Sequence, residues 1–439
     1  MDLASYPTFR VATCDLNGQM RGKRVPGAYA DKLVKGAVRL PLSASNLDLW
    51  GRDIVNSPLV FESGDADGVL RPTARGPVPM PWIATPTALV PMALYTDEGA
   101  PFDGDPRHAL AAVLDRYAAR GWQIMAATEM EFTLIDDSGK APAPPRNPLT
   151  SRALSNETIL SLSELDAFDS FFTALYQGCA AMGIPAQTAI SEGGIGQFEI
   201  NLTHQDAMRA ADDAWLFKAL VRGIARQNGF AATFMAKPYP QDAGNGMHLH
   251  FSVLDGDGRN VFDDGGPDGS DLLRHAVAGC LAAMPDSTLI FAPFANSYDR
   301  LVPGAHAPTV AAWGYENRTA AIRIPGGPNM ARRIEHRVSG GDINPYLMLA
   351  SVLGSALIGI EDALAPPAPI TGNAYAMANL PRLAPDWGAA ISAFETSDLI
   401  ARIFPRLLID NMARTKRQEL ARFNKLAAES HWLSYLEAV

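Results

Sequence analysis

The chain has 439 residues, of which 47% are hydrophobic and 19% charged, and its formal net charge is −10. That length supports a large core and more than one domain in an ordinary globular composition. An acidic balance without a basic run excludes nucleic acid or an anionic membrane as the main partner. Three scattered cysteines, Cys14, Cys179 and Cys280, exclude a disulfide framework and a Cys-x-x-Cys zinc or redox pair.

The opening MDLASYPTFRVATCDL lacks the basic start and apolar core of a signal peptide. Asn17-Gly18 is a hairpin signal between Arg10–Leu16 and the run that ends at Pro26. Gly18 to Arg24 superficially suggests a phosphate-binding loop, but its glycine spacing is one short and no Ser or Thr follows the lysine. Pro72 to Pro91 reads as extended, irregular chain. A small β-rich domain over residues 1–102 is expected, with a second domain over residues 103–439. The second begins with a helix capped by Asp105, carrying Pro106 in its first turn and stopped by Gly121.

Beyond it, periodicity predicts helices at Ser163–Met182, Gln205–Asn228, Asp271–Met284, Pro345–Leu364 and Ala389–Lys425. The apolar run from Tyr346 to Ile360 is too short to span a bilayer and reads as buried, so a cytoplasmic protein is expected. Strands are predicted at Gln123–Ile135, Gln197–Leu202, Ala231–Ala236, His248–Leu254, Ala320–Pro325 and Arg332–Val338. Asp255-Gly256-Asp257-Gly258 reads as a hairpin turn, because the later glutamate of a calcium loop is absent. The fold class is therefore α+β with a substantial sheet.

Several of these segments carry chemistry. On a strand, Glu129 and Glu131 face the same side, where two carboxylates repel unless cations are bound. Glu192 and Glu199 bracket a glycine-rich turn, and the absence of a helix directly after it argues against dinucleotide binding. In Lys237–Ser252, Gly244 and Gly246 permit close backbone approach, and His248, His250 and Ser252 share one strand face. Arg333, Glu335 and Arg337 also share a face, a pattern that an ion-pair ladder explains as well as a site does. Together the glutamates and a histidine suit magnesium or manganese better than zinc. Arg300, Arg318, Arg323, Arg333 and Arg337 suit phosphate and carboxylate, as phosphoryl transfer to an anion requires.

In this order, with Asp15–Gly18, Asp105-Pro106-Arg107, Asn296–Leu301, Asn317–Pro325 and Asn344–Leu347, the motifs resemble the glutamine synthetase family from about residue 8 almost to the C-terminus. The resemblance implies an N-terminal β-grasp domain and a catalytic domain with a curved antiparallel sheet. It also implies a homo-oligomer, commonly a dodecamer of two hexameric rings with each site between subunits. It assigns Glu131, Glu192 and Glu199 to one divalent cation and Glu129, His248 and Glu335 to a second. His250, Ser252, Arg323 and Arg333 fall to the nucleotide, and Gly244, Arg300 and Arg337 to glutamate. Arg318 falls to the transferred phosphoryl group. The implied reaction uses ATP to phosphorylate the γ-carboxylate of L-glutamate, after which an amine displaces phosphate.

The chain departs from the ammonia-using pattern in two places. The loop Pro-Gly-Tyr-Glu-Ala-Pro is here Pro303-Gly304-Ala305-His306-Ala307-Pro308, and the region comparable to Asp-Gly-Ser-Ser is Leu40–Ser45, without an acid. A largely neutral histidine attracts ammonium far less than a carboxylate, yet within reach it can serve an amine as general base. Ala305 also widens the pocket. An organic amine is therefore the expected nucleophile, and the Trp313–Thr319 segment resembles the γ-glutamylpolyamine synthetase branch. The alternatives are ammonia as nucleophile and an inactive ring-forming structural or sensory protein.

Overall fold

The computed structural model describes the chain apart from Met1, Pro303, Ala305, His306 and Ala378. Two sheets organise it. The first comprises β1 (Thr8–Cys14), β2 (Met20–Pro26), β3 (Arg39–Pro41), β4 (Asp67–Pro72), β5 (Val78–Pro79) and β6 (Ala88–Tyr95), ordered β2-β1-β6-β4-β3 with β5 on β6. The β1–β2 hairpin turns where Asn17-Gly18 predicts it, with Gly18 at φ 81°, a left-handed conformation that glycine adopts without a Cβ penalty. The Pro72–Pro91 stretch is not irregular throughout. It holds β5, and Pro91 lies inside β6.

The second sheet comprises β7 (Gln123–Ile135), β8 (Ala186–Ser191), β9 (Gln197–Asp206), β10 (Ala231–Thr233), β11 (Met247–Leu254), β12 (Trp313–Tyr315), β13 (Ile322–Ile324) and β14 (Ile334–His336). Its order is β12-β13-β14-β11-β7-β9-β8, with β10 on β7. All pairs are antiparallel except β12–β13. The α+β class expected from sequence is the one observed, with curved sheets and an N-terminal domain consistent with a β-grasp.

Burial alternates along β7. Ile124, Ala126, Thr128, Met130, Phe132 and Leu134 are buried, while Met125, Ala127, Glu129 and Glu131 are half-buried on the other face. The period of two thus separates a core face from a working face within one strand. On the core side lie the helices Ala207–Gln227 and Pro345–Glu361, the latter buried for nearly its whole length. Among the described residues no helix is long and apolar enough to cross a membrane.

Two helical predictions need correction. Ser163–Met182 breaks at Phe168 into Leu162–Ala167 and Asp169–Met182. Ala389–Lys425 is three helices, Trp387–Thr396, Asp398–Ala401 and Arg406–Phe423. Ser397 leaves the helix to cap the second by accepting from Ile400 N, and Pro405, which has no N–H to donate, separates the second from the third.

Helix Arg406–Phe423 is fastened to the N-terminal segment. Glu419, fully buried, accepts from Asn17 Nδ2 at 2.7 Å, Leu49 N at 2.7 Å and Lys416 Nζ at 2.9 Å. Glu419→Ala strands the buried Lys416 ammonium, the Asn17 side-chain amide and the Leu49 backbone N–H. It therefore lowers stability by about 3 kcal/mol, read as a lower urea midpoint. The double variant with Lys416→Met recovers part of that loss.

Candidate active site

Strand register assembles the site. Across β7 and β9, Glu131 stands opposite Glu199 and Glu129 opposite Asn201. Across β7 and β11, Glu129 stands opposite His248. On β11 and β14, His250 stands opposite Glu335, which stands opposite Arg323 of β13. Directly opposed residues point to the same side of a sheet, so these side chains, drawn from five strands, share the working face.

Glu129 is the hub. Its Oε2 lies 2.8 Å from His248 Nδ1 and its Oε1 lies 3.0 Å from His250 Nε2. Burial pushes its carboxyl up, but the hydrogen bonds and charges of the two histidines prevail and hold it well below the usual range. Glu335 is fully buried and paired with Arg337 and, at 2.8 Å, with Arg323. Burial raises its carboxyl as well, and Arg337 with the histidines outweighs that, so it too sits low.

Glu131 is held differently. Its Oε2 accepts from Gly246 N at 2.6 Å and Gln197 Nε2 at 3.1 Å. Glu192 and Glu199 lack such donors in strength. Burial, then the charge of Glu131, pushes Glu192 up to about 7. Burial, then Glu131, Glu129 and Glu192, pushes Glu199 up to about 9. Carboxyls that retain protons because they are buried, and then because they crowd one another, form a donor set suited to a hard divalent cation.

Two groups have ligating atoms all within 4.8 Å of one another: Glu129, Glu199 and His248, and Glu129, His250 and Glu335. Of the six expected ligands, Glu129, Glu199, His248 and Glu335 fall in these groups, while Glu131 and Glu192 fall in neither. The grouping also differs from the expected partition, because Glu199 stands with Glu129 and His248, and His250 stands with Glu129 and Glu335.

Arg300 is buried, donates from Nη1 to Val338 O at 2.8 Å, and lies in electrostatic reach of Glu131 and Arg337. The signature glycines lie against it. A Cβ on Gly246 would stand 2.7 Å from Arg300 Nη2 and 3.4 Å from Glu131 Oε2, and one on Gly244 would stand 3.2 Å from Arg300 Cγ. Arg318 is exposed on the turn after β12, close enough to Glu192 to act on its charge. Arg333 Nε reaches His250 Nδ1 at 3.2 Å. Arg333, Ser252, His250 and Glu129 line a cleft of about 640 Å³. His306 lies outside the described residues.

Sequence reasoning missed three groups. Gln197 lies inside the quoted glycine-rich segment, and it ties Glu131 to Gly244 O at 3.0 Å. Tyr375 lies in reach of Arg300 and Arg337, on a turn stapled by Ala374 N to Thr319 Oγ1 at 2.9 Å. Asp65 accepts from Ser43 Oγ at 2.6 Å, so an acid from a distant segment does meet the Leu40–Ser45 region. No local pattern announces the last two.

Residues 103–435, which carry this row of acids, imidazoles and guanidinium groups, match the family model for the glutamine synthetase catalytic domain, a family of ligases. The chain is 35% identical to the γ-glutamylputrescine synthetase of Escherichia coli strain K12, over 98% of this chain and 92% of that one. It is 32% identical to the γ-glutamylethanolamide synthetase of Streptomyces coelicolor, over 97% and 91%. A solved complex of GmaS with ADP superposes with a TM-score of 0.85 at 28% identity, covering 99% of each chain. The chain belongs to the glutamine synthetase family.

Proposed function

We propose that the protein joins the γ-carboxylate of L-glutamate to an organic amine at the expense of ATP. The observation that carries this reading is the single row of acids, histidines and arginines held in register across β9, β7, β11, β14 and β13. Relatives named for putrescine and ethanolamine, each matched over nine-tenths of its length, support an organic nucleophile.

In this reading Glu131, Glu192 and Glu199 hold one magnesium or manganese ion, and Glu129, His248 and Glu335 hold the other. The crowded carboxyls fit that role. When bound, such cations neutralise phosphate charge. Arg300 and Arg337, with the Gly244 backbone, fix glutamate. His250, Ser252, Arg323 and Arg333 orient the nucleotide, and Arg318 offsets charge on the moving phosphoryl group. A γ-carboxylate oxygen displaces ADP from the γ-phosphorus. The amine nitrogen, freed of its proton, then attacks the acyl carbon and phosphate leaves. His306 is proposed as the base that takes the proton.

A homo-oligomer, a dodecamer of two hexameric rings, belongs to this reading. The Leu42–Asn46 turn is fastened to its own chain through Asp65 and through Thr415 Oγ1 to Asn46 at 2.5 Å. In this reading a neighbouring copy closes each site.

The test is phosphate release with ATP, glutamate and manganese or magnesium across an amine panel that includes ammonium, with the amide identified by mass. At least one organic amine is expected to exceed ammonium in kcat/KM, and His306→Glu is expected to shift the balance toward ammonium. Ammonium outperforming every organic amine returns the protein to plain glutamine synthesis.

A further inference from the structure

Residues 237–246 form a strap that is fastened on both sides. On one side Lys237 N donates to Asn296 Oδ1 at 2.9 Å, and Asn296 Nδ2 donates back to Lys237 O at 2.9 Å. Asn296 belongs to the short helix Ala295–Arg300, which also carries Arg300. On the other side the strap meets the glycine-rich turn at residues 192–197. Asp242 Oδ2 accepts from Ile195 N at 2.7 Å, while its Oδ1 accepts from Ala243 N at 2.8 Å. Gln197 Nε2 donates to Gly244 O at 3.0 Å.

Gln197 is the joint between turn and strap. It is 3% exposed, and its amide is used at both ends. Oε1 accepts from Gly194 N at 2.8 Å, and Nε2 donates to Glu131 Oε2 at 3.1 Å as well as to Gly244 O. Turned over, the amide would set an acceptor against a carboxylate and a carbonyl, so the surroundings fix its orientation. Gly194 makes the approach possible, because a Cβ there would stand 2.7 Å from Gln197 Oε1. Glu131 Oε2 also accepts from Gly246 N, at the far end of the strap, at 2.6 Å. Both bonds fall on Oε2, and among the described residues no hydrogen bond reaches Oε1. Turn and strap together therefore decide which oxygen of Glu131 is left for another partner.

We infer that Gln197 and Asp242 are positioning residues that make the turn carrying Glu192 and the strap carrying Gly244 one unit, so that the cation-binding acids and the backbone that holds glutamate take up their places together. Neither residue touches the reacting atoms. Gln197 acts on a cation through Glu131, and Asp242 acts on glutamate through the Gly244 peptide. Partners of this kind orient a ligand, and their loss weakens binding although every ligand remains. The inference rests on the functional reading above and adds the physical link between two of its parts.

The test uses Gln197→Met, Asp242→Ala, Asp242→Asn and the double variant Gln197→Met/Asp242→Ala in the full-length protein. Manganese binding is read by calorimetry without substrates, and KM values are read from phosphate release. Gln197→Met keeps the length of the side chain but not its donors. It is expected to weaken manganese binding and to raise KM for glutamate, each about tenfold, with KM for ATP within about twofold of the parent. Asp242→Ala should raise KM for glutamate about tenfold while manganese affinity stays within about threefold. Asp242→Asn keeps an acceptor for Ile195 N and should hold KM for glutamate within about threefold. In the double variant KM for glutamate should rise about tenfold rather than about a hundredfold, because one cut already frees the Gly244 peptide. Additive losses, or an unchanged manganese affinity in Gln197→Met, overturn the link. A lowered thermal midpoint with KM for glutamate unchanged also overturns it, since packing alone would do that. Failure of the parent protein to consume ATP with any amine overturns the functional reading instead. The manganese titrations still compare the variants in that case, so the two failures are distinguishable.

Discussion

Glutamine in place of Glu129 lowers ATP-dependent amide formation by about 10³-fold, read as phosphate release at saturating ATP, glutamate and amine, while the thermal midpoint stays close to that of the parent. The size follows from position. Glu129 belongs to both compact groups of potential ligands and is the hydrogen-bond partner of His248 and His250. Glutamine keeps the length and planarity of the side chain but removes its charge. Its amide nitrogen also presents donors where an imidazole N–H needs an acceptor, so one histidine must change tautomer or lose its partner. The control is Glu361→Gln, which removes a surface pairing with Arg116 and Arg120 and should leave the rate within about twofold, as exposed pairs contribute little. A loss below tenfold at Glu129 would remove it from the centre of the reaction.

Much of this site was legible along single strands. Parity alone places Glu129 with Glu131 and His248 with His250 and Ser252, and the structure keeps both sets on the working face. Parity could not choose between a site and an ion-pair ladder for Arg333, Glu335 and Arg337. The choice depends on β13 and β11 flanking β14, which sets Glu335 between Arg323 and His250. Pairing of strands far apart in sequence is a tertiary fact with no local trace. The bulge in β9, where the register with β7 runs Thr128↔Leu202 and then Ala126↔Gln205, is illegible for the same reason, since an extra residue exists only relative to a partner strand. His204 accordingly falls in the gap between the predicted strand Gln197–Leu202 and the predicted helix Gln205–Asn228, whereas β9 runs on to Asp206. Strands β8 and β12 were missed because Ala186–Ser191 and Trp313–Tyr315 are short and lack a clean alternation.

The same register explains why the protein tolerates so many like charges in one place. Glu129 and Glu335 are stabilised as anions by histidines and arginines on β11, β13 and β14. On the β9 side no arginine pairs with Glu199 among the described residues. One half of the row is thus neutralised by the chain itself, and the other half is left to whatever cation the site takes up.

That asymmetry makes cation affinity steeply pH-dependent. Glu192 and Glu199 hold their protons up to about 7 and about 9, against an ordinary value of 4.5. A cation shared by both must displace both protons. Its association constant should therefore rise about a hundredfold per pH unit below about 7, about tenfold per unit from there to about 9, and level off above. Without a cation the sign for stability is opposite. Unfolded carboxylates have lost their protons above 4.5 while the folded ones keep theirs. The contribution of these two groups is therefore fully present below 4.5 and is lost as pH rises through about 7 and then about 9. Saturating manganese should cancel that loss, so the thermal shift it produces grows from pH 6 to pH 9. Titration calorimetry in two buffers of different ionisation enthalpy counts the protons released, close to two at pH 6 and one at pH 8. Glu192→Gln should remove one proton from the count at pH 6 and flatten the slope there to tenfold per unit. A manganese affinity that is constant from pH 6 to pH 9, with no proton released, would mean that the two carboxyls do not grip the same ion. The division of the row into a self-neutralised half and a cation-dependent half would then fail with it.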